Sequence, residues 1–182
     1  GCDQLIIIET DKSTDAYLRF FNSDGGESGA CGNGTRCVAD LISKEINNKD
    51  IVLRTLSGIL KSEILGNNIV TTEIGVAKTE WNEIPLSEKL NTKNLNIKIL
   101  DKNDKEYSGG TAINVGNPHI IFFVNEIDNF DIKKLGPNIE NHKFFPNKCN
   151  VTIAQVKNKD LIKVKVWERG AGLTKACGTA AC

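Results

Sequence analysis

Methionine is absent from this 182-residue sequence, and arginine is scarce, with four against 19 lysines. Histidine occurs twice and proline four times. The formal net charge is zero, with lysines and glutamates scattered, so no one-signed field directs the chain to nucleic acid or an anionic membrane. No apolar run approaches the roughly 20 residues of a bilayer-spanning helix; the longest is the short stretch at residues 120–124. Scarcity makes each arginine informative, because lysine cannot reproduce its planar two-pronged fork. Arg36 and Arg169 both lie beside cysteine-containing loops. The chain opens directly on the strand-like stretch GCDQLIIIE and stops inside an apparent element. The expectation is therefore a polypeptide cut at both ends, in which a missing leader excludes nothing.

Six cysteines are present, at positions 2, 31, 37, 149, 177 and 182. A disulfide framework is not needed by a chain long enough to build its own core. The spacings C-x5-C and C-x4-C fit poorly with the tight pairs of a zinc site. Cys2, Cys37, Cys149 and Cys182 are expected to be buried free thiols, which pack as small apolar groups. Cys31 and Cys177 differ, because each stands in an Ala-Cys-Gly loop, ACGNGTRC and ACGTAAC.

Apolar alternation predicts strands over 4–9, 17–22, 51–55, 58–65, 69–75, 96–100, 106–115, 151–156 and 161–167, with another in VGNPHIIFFV. Gly66-Asn67-Asn68 predicts a tight reversal. A stripe at Cys37, Val38, Leu41, Ile42 and Ile46 predicts a helix over 33–46, and a second helix should begin near Gly178. Residues 131–141, containing Gly136-Pro137, read as a helical turn and a loop, and 81–94 as a crossover. The order strands, glycine-rich loop, Ala-Cys-Gly and helix start occurs twice. This predicts two similar halves, 1–78 and 79–182, the first truncated at its N-terminus and the second at its C-terminus.

A cysteine at a loop-to-helix junction sits at the positive end of the helix dipole, which favours thiolate over thiol and lowers the pKa from about 8.5. The same backbone N–H groups can hold a carboxylate or a developing enolate. A matched pair of such loops suits inversion of a stereocentre. One thiolate takes a proton from one face of a carbon, and the opposite thiol returns a proton to the other.

The stretches GCDQLIIIE, RFFNSDGGESGACGNGTRC, RTLSGIL, VGNPHIIFFV, GPNIENHKFFPNKCNV and VWERGAGLTKACGTAAC together resemble the diaminopimelate epimerase family. The resemblance implies an α+β fold of two pseudo-symmetric domains, each a mixed or antiparallel sheet wrapped around a central helix, with the active site in the interdomain cleft. It implies Cys31 and Cys177 as the two catalytic bases, with His119 and Glu168 setting their protonation. Substrate contacts carry over to Gln4, Asn22, Gly32 and Asn33 in the first half. In the second they carry over to Asn117, Asn150, Glu168, Arg169, Gly178 and Thr179. The implied enzyme acts on diaminopimelate without metal or cofactor, is cytoplasmic and forms a homodimer. A glycine-rich GND loop of the family is missing, and Ala180 stands where glycine commonly follows Thr179.

Plainer readings accompany these. His119 could be a satisfied core histidine, Asn117 a turn former before proline, Glu168-Arg169 a solvated pair, and His142 a surface residue. Beyond the epimerase, a proline racemase or phenazine-pathway isomerase, a redox or metal-binding cysteine protein, and a non-catalytic binding module stay open.

Overall fold

A computed structural model describes residue 2 and residues 4–182. The chain divides into two compact units between Val76 and Ala77. Strands and short helices mix in both, so the chain is α+β as expected. Among the described residues no helix is long and apolar enough to cross a membrane.

The first unit contains β1 (Gln4–Glu9), β2 (Ala16–Asn22), β3 (Glu27–Ser28), α1 (Gly32–Ile46), β4 (Asp50–Thr55), β5 (Gly58–Gly66) and β6 (Ile69–Thr72). The sheet order is β1-β2-β4-β5-β6, with β3 also on β2. Only β2 and β4 run parallel among these pairs, and a parallel pair needs a long crossover. That crossover carries α1. Alternate residues Ala16, Leu18 and Phe20 on β2, with Ile51 and Leu53 on β4, form one buried cluster with Val38, Ala39 and Ile42 of α1. Each large side chain so buried contributes about 1.5–3 kcal/mol. Gly66, Asn67 and Asn68 all have positive φ and make the expected reversal between β5 and β6.

The buried face of α1 is offset from the expected stripe. It consists of Gly34, Thr35, Val38, Ala39, Ile42 and Ser43, whereas Leu41 and Ile46 are each 48% exposed. Small residues dominate this face because the helix lies close to the sheet. A Cβ at Gly34 would come within 2.6 Å of Ile6 Cδ1 and 3.3 Å of Phe20 Cε1. The same offset overturns the expectation for Cys37, which is exposed, and Cys2 and Cys182 are exposed as well. Of the four expected buried thiols, Cys149 alone is buried.

The second unit, Ala77–Ala181, contains β7 (Ile97–Leu100), β8 (Glu106–Gly109), β9 (Thr111–Asn114), β10 (Pro118–Phe123), α2 (Ile132–Glu140), β11 (Asn150–Asn158), β12 (Leu161–Trp167) and α3 (Gly178–Ala181). A four-stranded sheet runs β12-β11-β10-β9, and β7-β8 form a separate hairpin. The single strand expected over 106–115 is thus two strands in two sheets. Gly110 breaks it at φ +99°, where any Cβ would approach Ile120 Cδ1 to 2.7 Å. Residues 81–94 are no mere connection, since Ile84 and Leu86 are buried in the core with Ile120, Phe122, Val151 and Ile153.

Helix α2 also departs from expectation, running unbroken through Pro137. Ile132 and Ile139 anchor it to the core, and burial of that face outweighs the hydrogen bond lost at proline. Asp131 caps its start by accepting from Lys133 N–H at 3.0 Å. Gly136 lets the Trp167 indole lie directly on the helix, so an added Cβ would overlap the ring. Glycine-to-alanine in a helix interior ordinarily stabilises by up to about 1 kcal/mol. Here Gly136→Ala is expected to destabilise by roughly 1–3 kcal/mol, the usual cost of overpacking, measured by urea unfolding.

Candidate active site

In the first unit, antiparallel register sets Gln4 opposite Asn22, and Gln4 Nε2 donates to Asn22 Oδ1 at 2.8 Å. From Asn22 the chain turns back to β3 and reaches Cys31, the N-cap of α1, in extended geometry at φ −146° and ψ 99°. Its Sγ accepts from Gly34 N–H at 3.3 Å. Its carbonyl accepts from both Thr35 N–H and Thr35 Oγ1–H at 2.9 Å. The sulfur therefore occupies the place of the usual N-cap oxygen, at the positive end of a four-turn helix. Gly32 and Asn33 are the first helical residues, and Asn33 Oδ1 accepts from the Arg36 guanidinium at 2.6 Å. That contact supplies a partner for Arg36 that the sequence did not indicate.

In the second unit, parallel pairing of β10 with β11 puts His119 beside Asn150. His119 is 1% exposed. Its Nε2 lies 2.9 Å from Asn117 Oδ1 and 3.0 Å from Thr179 Oγ1. An amide oxygen can only accept, so Nε2 carries the hydrogen. Asn150 Nδ2 is 3.3 Å from the same nitrogen and directs its own hydrogen to Pro118 O at 3.2 Å. Asn150 Oδ1 accepts from Arg169 N–H at 2.9 Å. Thr179 Oγ1 in turn lies 3.5 Å from Cys177 Sγ. Asn117, His119, Thr179 and Cys177 thus form one chain of polar contacts, with Gly178 starting α3 between the last two, and Asn150 with Arg169 forms a second that packs against it at His119.

Glu168 closes the loop 168–172 through paired backbone bonds with Gly172, at 2.7 and 2.8 Å. Its carboxylate accepts from Thr174 Oγ1–H. The Arg169 guanidinium donates to Asn147 O at 3.2 Å.

The electrostatics of Cys177 run opposite to the sequence expectation. Burial pushes its thiol up to about 11, the Glu168 charge and hydrogen bond push the same way, and the Thr179 hydroxyl only partly offsets them. Burial, then the Arg169 charge, holds His119 down at about 4, so it is a neutral donor at pH 7.

Sequence reasoning missed Glu140, which is 6% exposed. Its Oε2 accepts from Trp167 Nε1–H at 2.7 Å and its Oε1 from Gly170 N–H at 3.0 Å. The available signal was its place four residues after Gly136, on the face of α2 that meets Trp167.

Comparison with known proteins agrees with this architecture. The sequence profile of the family described as Diaminopimelate epimerase matches residues 1–80 and 111–182. The chain is 68% identical over 182 residues to a protein from Pelagibacter ubique named diaminopimelate epimerase. It is covered completely in that alignment and spans 66% of that relative's length. Among solved structures, a phenazine biosynthesis protein of the PhzF family from Bacillus anthracis matches with TM-score 0.60 at 15% identity, covering 100% of this chain and 64% of its own. A hydroxyproline epimerase from Agrobacterium vitis, with bound trans-4-hydroxy-L-proline, gives TM-score 0.60 at 14% identity, covering 98% and 57%. At such identities the likeness is one of fold.

Two measurements check the electrostatics. His119, depressed to about 4 from 6.5, gives stability that is fully present above pH 6.5 and is lost as pH falls towards 4, because only the unfolded chain takes up the proton there. Urea unfolding should lose roughly 3 kcal/mol across that window, and His119→Gln should flatten it. Iodoacetamide labelling of Cys177, followed by peptide mass spectrometry, should rise along a curve centred near about 11. Glu168→Gln removes a charge that disfavours thiolate and should move that curve to lower pH.

Proposed function

Because the chain belongs to the diaminopimelate epimerase family, we propose that the natural protein interconverts LL- and meso-2,6-diaminoheptanedioate by proton transfer at one α-carbon. The observation that carries this reading is the pair of Ala-Cys-Gly loops, each placing a cysteine directly before a helix. Each half, 1–78 and 79–182, supplies one sulfur. The reading extends to a cofactor-independent, cytoplasmic homodimer, on the family resemblance.

The sulfurs have unequal surroundings, and this assigns their roles in one direction of reaction. Cys31 Sγ lies at the N-terminus of α1 and accepts a backbone hydrogen bond, which favours an anionic sulfur; it is the base. Cys177 is held as thiol by burial and Glu168; it is the acid. The base takes the α-proton, the C–H electron pair passes into the carboxylate as an enolate, and the Cys177 proton adds to the opposite face. The products are inverted substrate, a Cys31 thiol and a Cys177 thiolate, ready for the reverse direction. Backbone N–H groups of Gly32 and Asn33 at the positive end of α1 stabilise the enolate.

Recognition follows from the charge pattern of a doubly zwitterionic substrate. The Arg169 guanidinium takes a carboxylate, the Glu168 carboxylate takes an ammonium, Gln4, Asn22, Asn33 and Asn117 offer groups that both donate and accept, and Asn150 holds the Arg169 backbone in place. A site with so many fixed polar partners rejects analogues that lack the second amino-acid group, since the partners are then left unpaired.

Turnover of the full-length protein in D2O should place deuterium at the α-carbon of product, read by mass spectrometry; absence of label would refute the mechanism. Cys31→Ser retains a capping atom for α1 and, like Cys177→Ala, should lose about 10²-fold or more in kcat while still binding diaminopimelate. Equal activity on free proline or hydroxyproline would place the protein with its structural neighbours instead.

A further inference from the structure

We propose that Glu140 is a positioning residue for the Glu168–Arg169 pair, acting as a two-pronged acceptor that grips the chain on both sides of it. This rests on the function proposed above and adds a residue to it. Glu140 ends α2, remote in sequence from the loop it holds. One oxygen takes the indole N–H of Trp167, immediately before the pair, and the other takes the backbone N–H of Gly170, immediately after it. Between these grips, Arg169 N–H is fixed on Asn150 Oδ1. Glu168 closes a two-bond bridge with Gly172. Gly170 and Gly172 adopt φ of +72° and +76°, the left-handed region that lets the loop fold back over Trp167.

The chemistry requires a carboxylate. Both groups that face Glu140 are donors, and of the side chains of this length only glutamate offers two acceptor oxygens and no hydrogen. Glutamine would satisfy one N–H and turn its own NH2 against the other. Lys148 Nζ is 3.8 Å away on a half-exposed side chain, and the Arg169 charge also acts on Glu140. The hydrogen bonds that hold the buried carboxylate in place come from the two loop donors. Gly136, one turn earlier on the same face of α2, completes the seat by letting the indole ring lie on the helix. The consequence is that α2 fixes where the guanidinium and the Glu168 carboxylate are presented.

Trp81 and Trp167 are the tryptophans of these 182 residues, so their two assigned indole N–H signals in a 15N-labelled sample give one probe and one internal control. In Glu140→Gln of the full-length protein, the Trp167 indole and Gly170 amide signals should shift and lose protection from hydrogen exchange, while Trp81 stays in place. KM for diaminopimelate should rise roughly tenfold or more with kcat changed less than about threefold, because ground-state and transition-state binding are weakened together. A merely structural role would instead lower kcat through a reduced folded fraction and leave KM alone. Unmoved Trp167 and Gly170 signals, or wild-type KM despite moved signals, would overturn the proposal. Should Glu140→Gln fail to fold, Trp167→Phe keeps the ring, deletes one donor, and should show a smaller KM rise in the same direction. A wild-type protein with no α-hydrogen exchange would defeat the functional reading alone, and the indole and amide signals would still decide the clamp.

Discussion

The parallel register that sets His119 opposite Asn150 is the constraint on which the second unit's chemistry depends. Strand pairing fixes both residues before any side chain chooses a partner. Asn150 then spends both ends of its amide on backbone, giving a hydrogen to Pro118 O and taking one from Arg169 N–H. It thereby ties the start of β10 to the loop after β12. His119, beside it, meets Asn117 and Thr179 through a single nitrogen. A slip of one residue would turn every one of these groups to the other face of the sheet. Core side chains at Ile120, Phe122, Val151 and Ile153, all at most 3% exposed, resist that slip. Hydrophobic alternation on one face thus maintains polar geometry on the other.

The two cysteines begin from the same tripeptide and end in different surroundings. Cys31 caps a helix of 15 residues and accepts a backbone hydrogen bond. Cys177 sits half-buried, with the Glu168 carboxylate acting on its thiol. Only the Ala-Cys-Gly core is shared, and the rest of each unit brings different groups to the sulfur. Unequal surroundings suit the proposed two-thiol mechanism, because one group must begin as base while its counterpart begins as acid.

Legibility in the sequence followed how local each cause was. Strands with clean alternation, the Gly66-Asn67-Asn68 reversal and the helix start after Cys31 depend on neighbours a few residues away, and all were readable. The split at Gly110 was not, because its cause is the side chain of Ile120 arriving from another strand. The face of α1 was read from bulk, whereas close packing selected the small residues Gly34, Ala39 and Ser43. The raised Cys177 pKa comes from burial, which a loop sequence does not display. Glu140 escaped notice since a carboxylate before Asn-His-Lys reads as solvated, and only the fold shows its oxygens facing Trp167 and Gly170. Repetition marked the two Ala-Cys-Gly loops in the sequence, whereas contacts made only through long-range partners left no such mark.

The capping sulfur of Cys31 has one consequence for how the first unit tolerates chemical damage. A single atom both faces the proposed reaction and terminates the hydrogen-bond ladder of α1. An adduct on that sulfur adds atoms beside Gly34, where Ile6 and Phe20 leave no slack, and so strains a cap whose loss costs a helix about 1 kcal/mol. Chemical injury at the reactive atom is therefore transmitted as loosening of the first helical turn, so a spent sulfur is marked by local disorder as well as by silence.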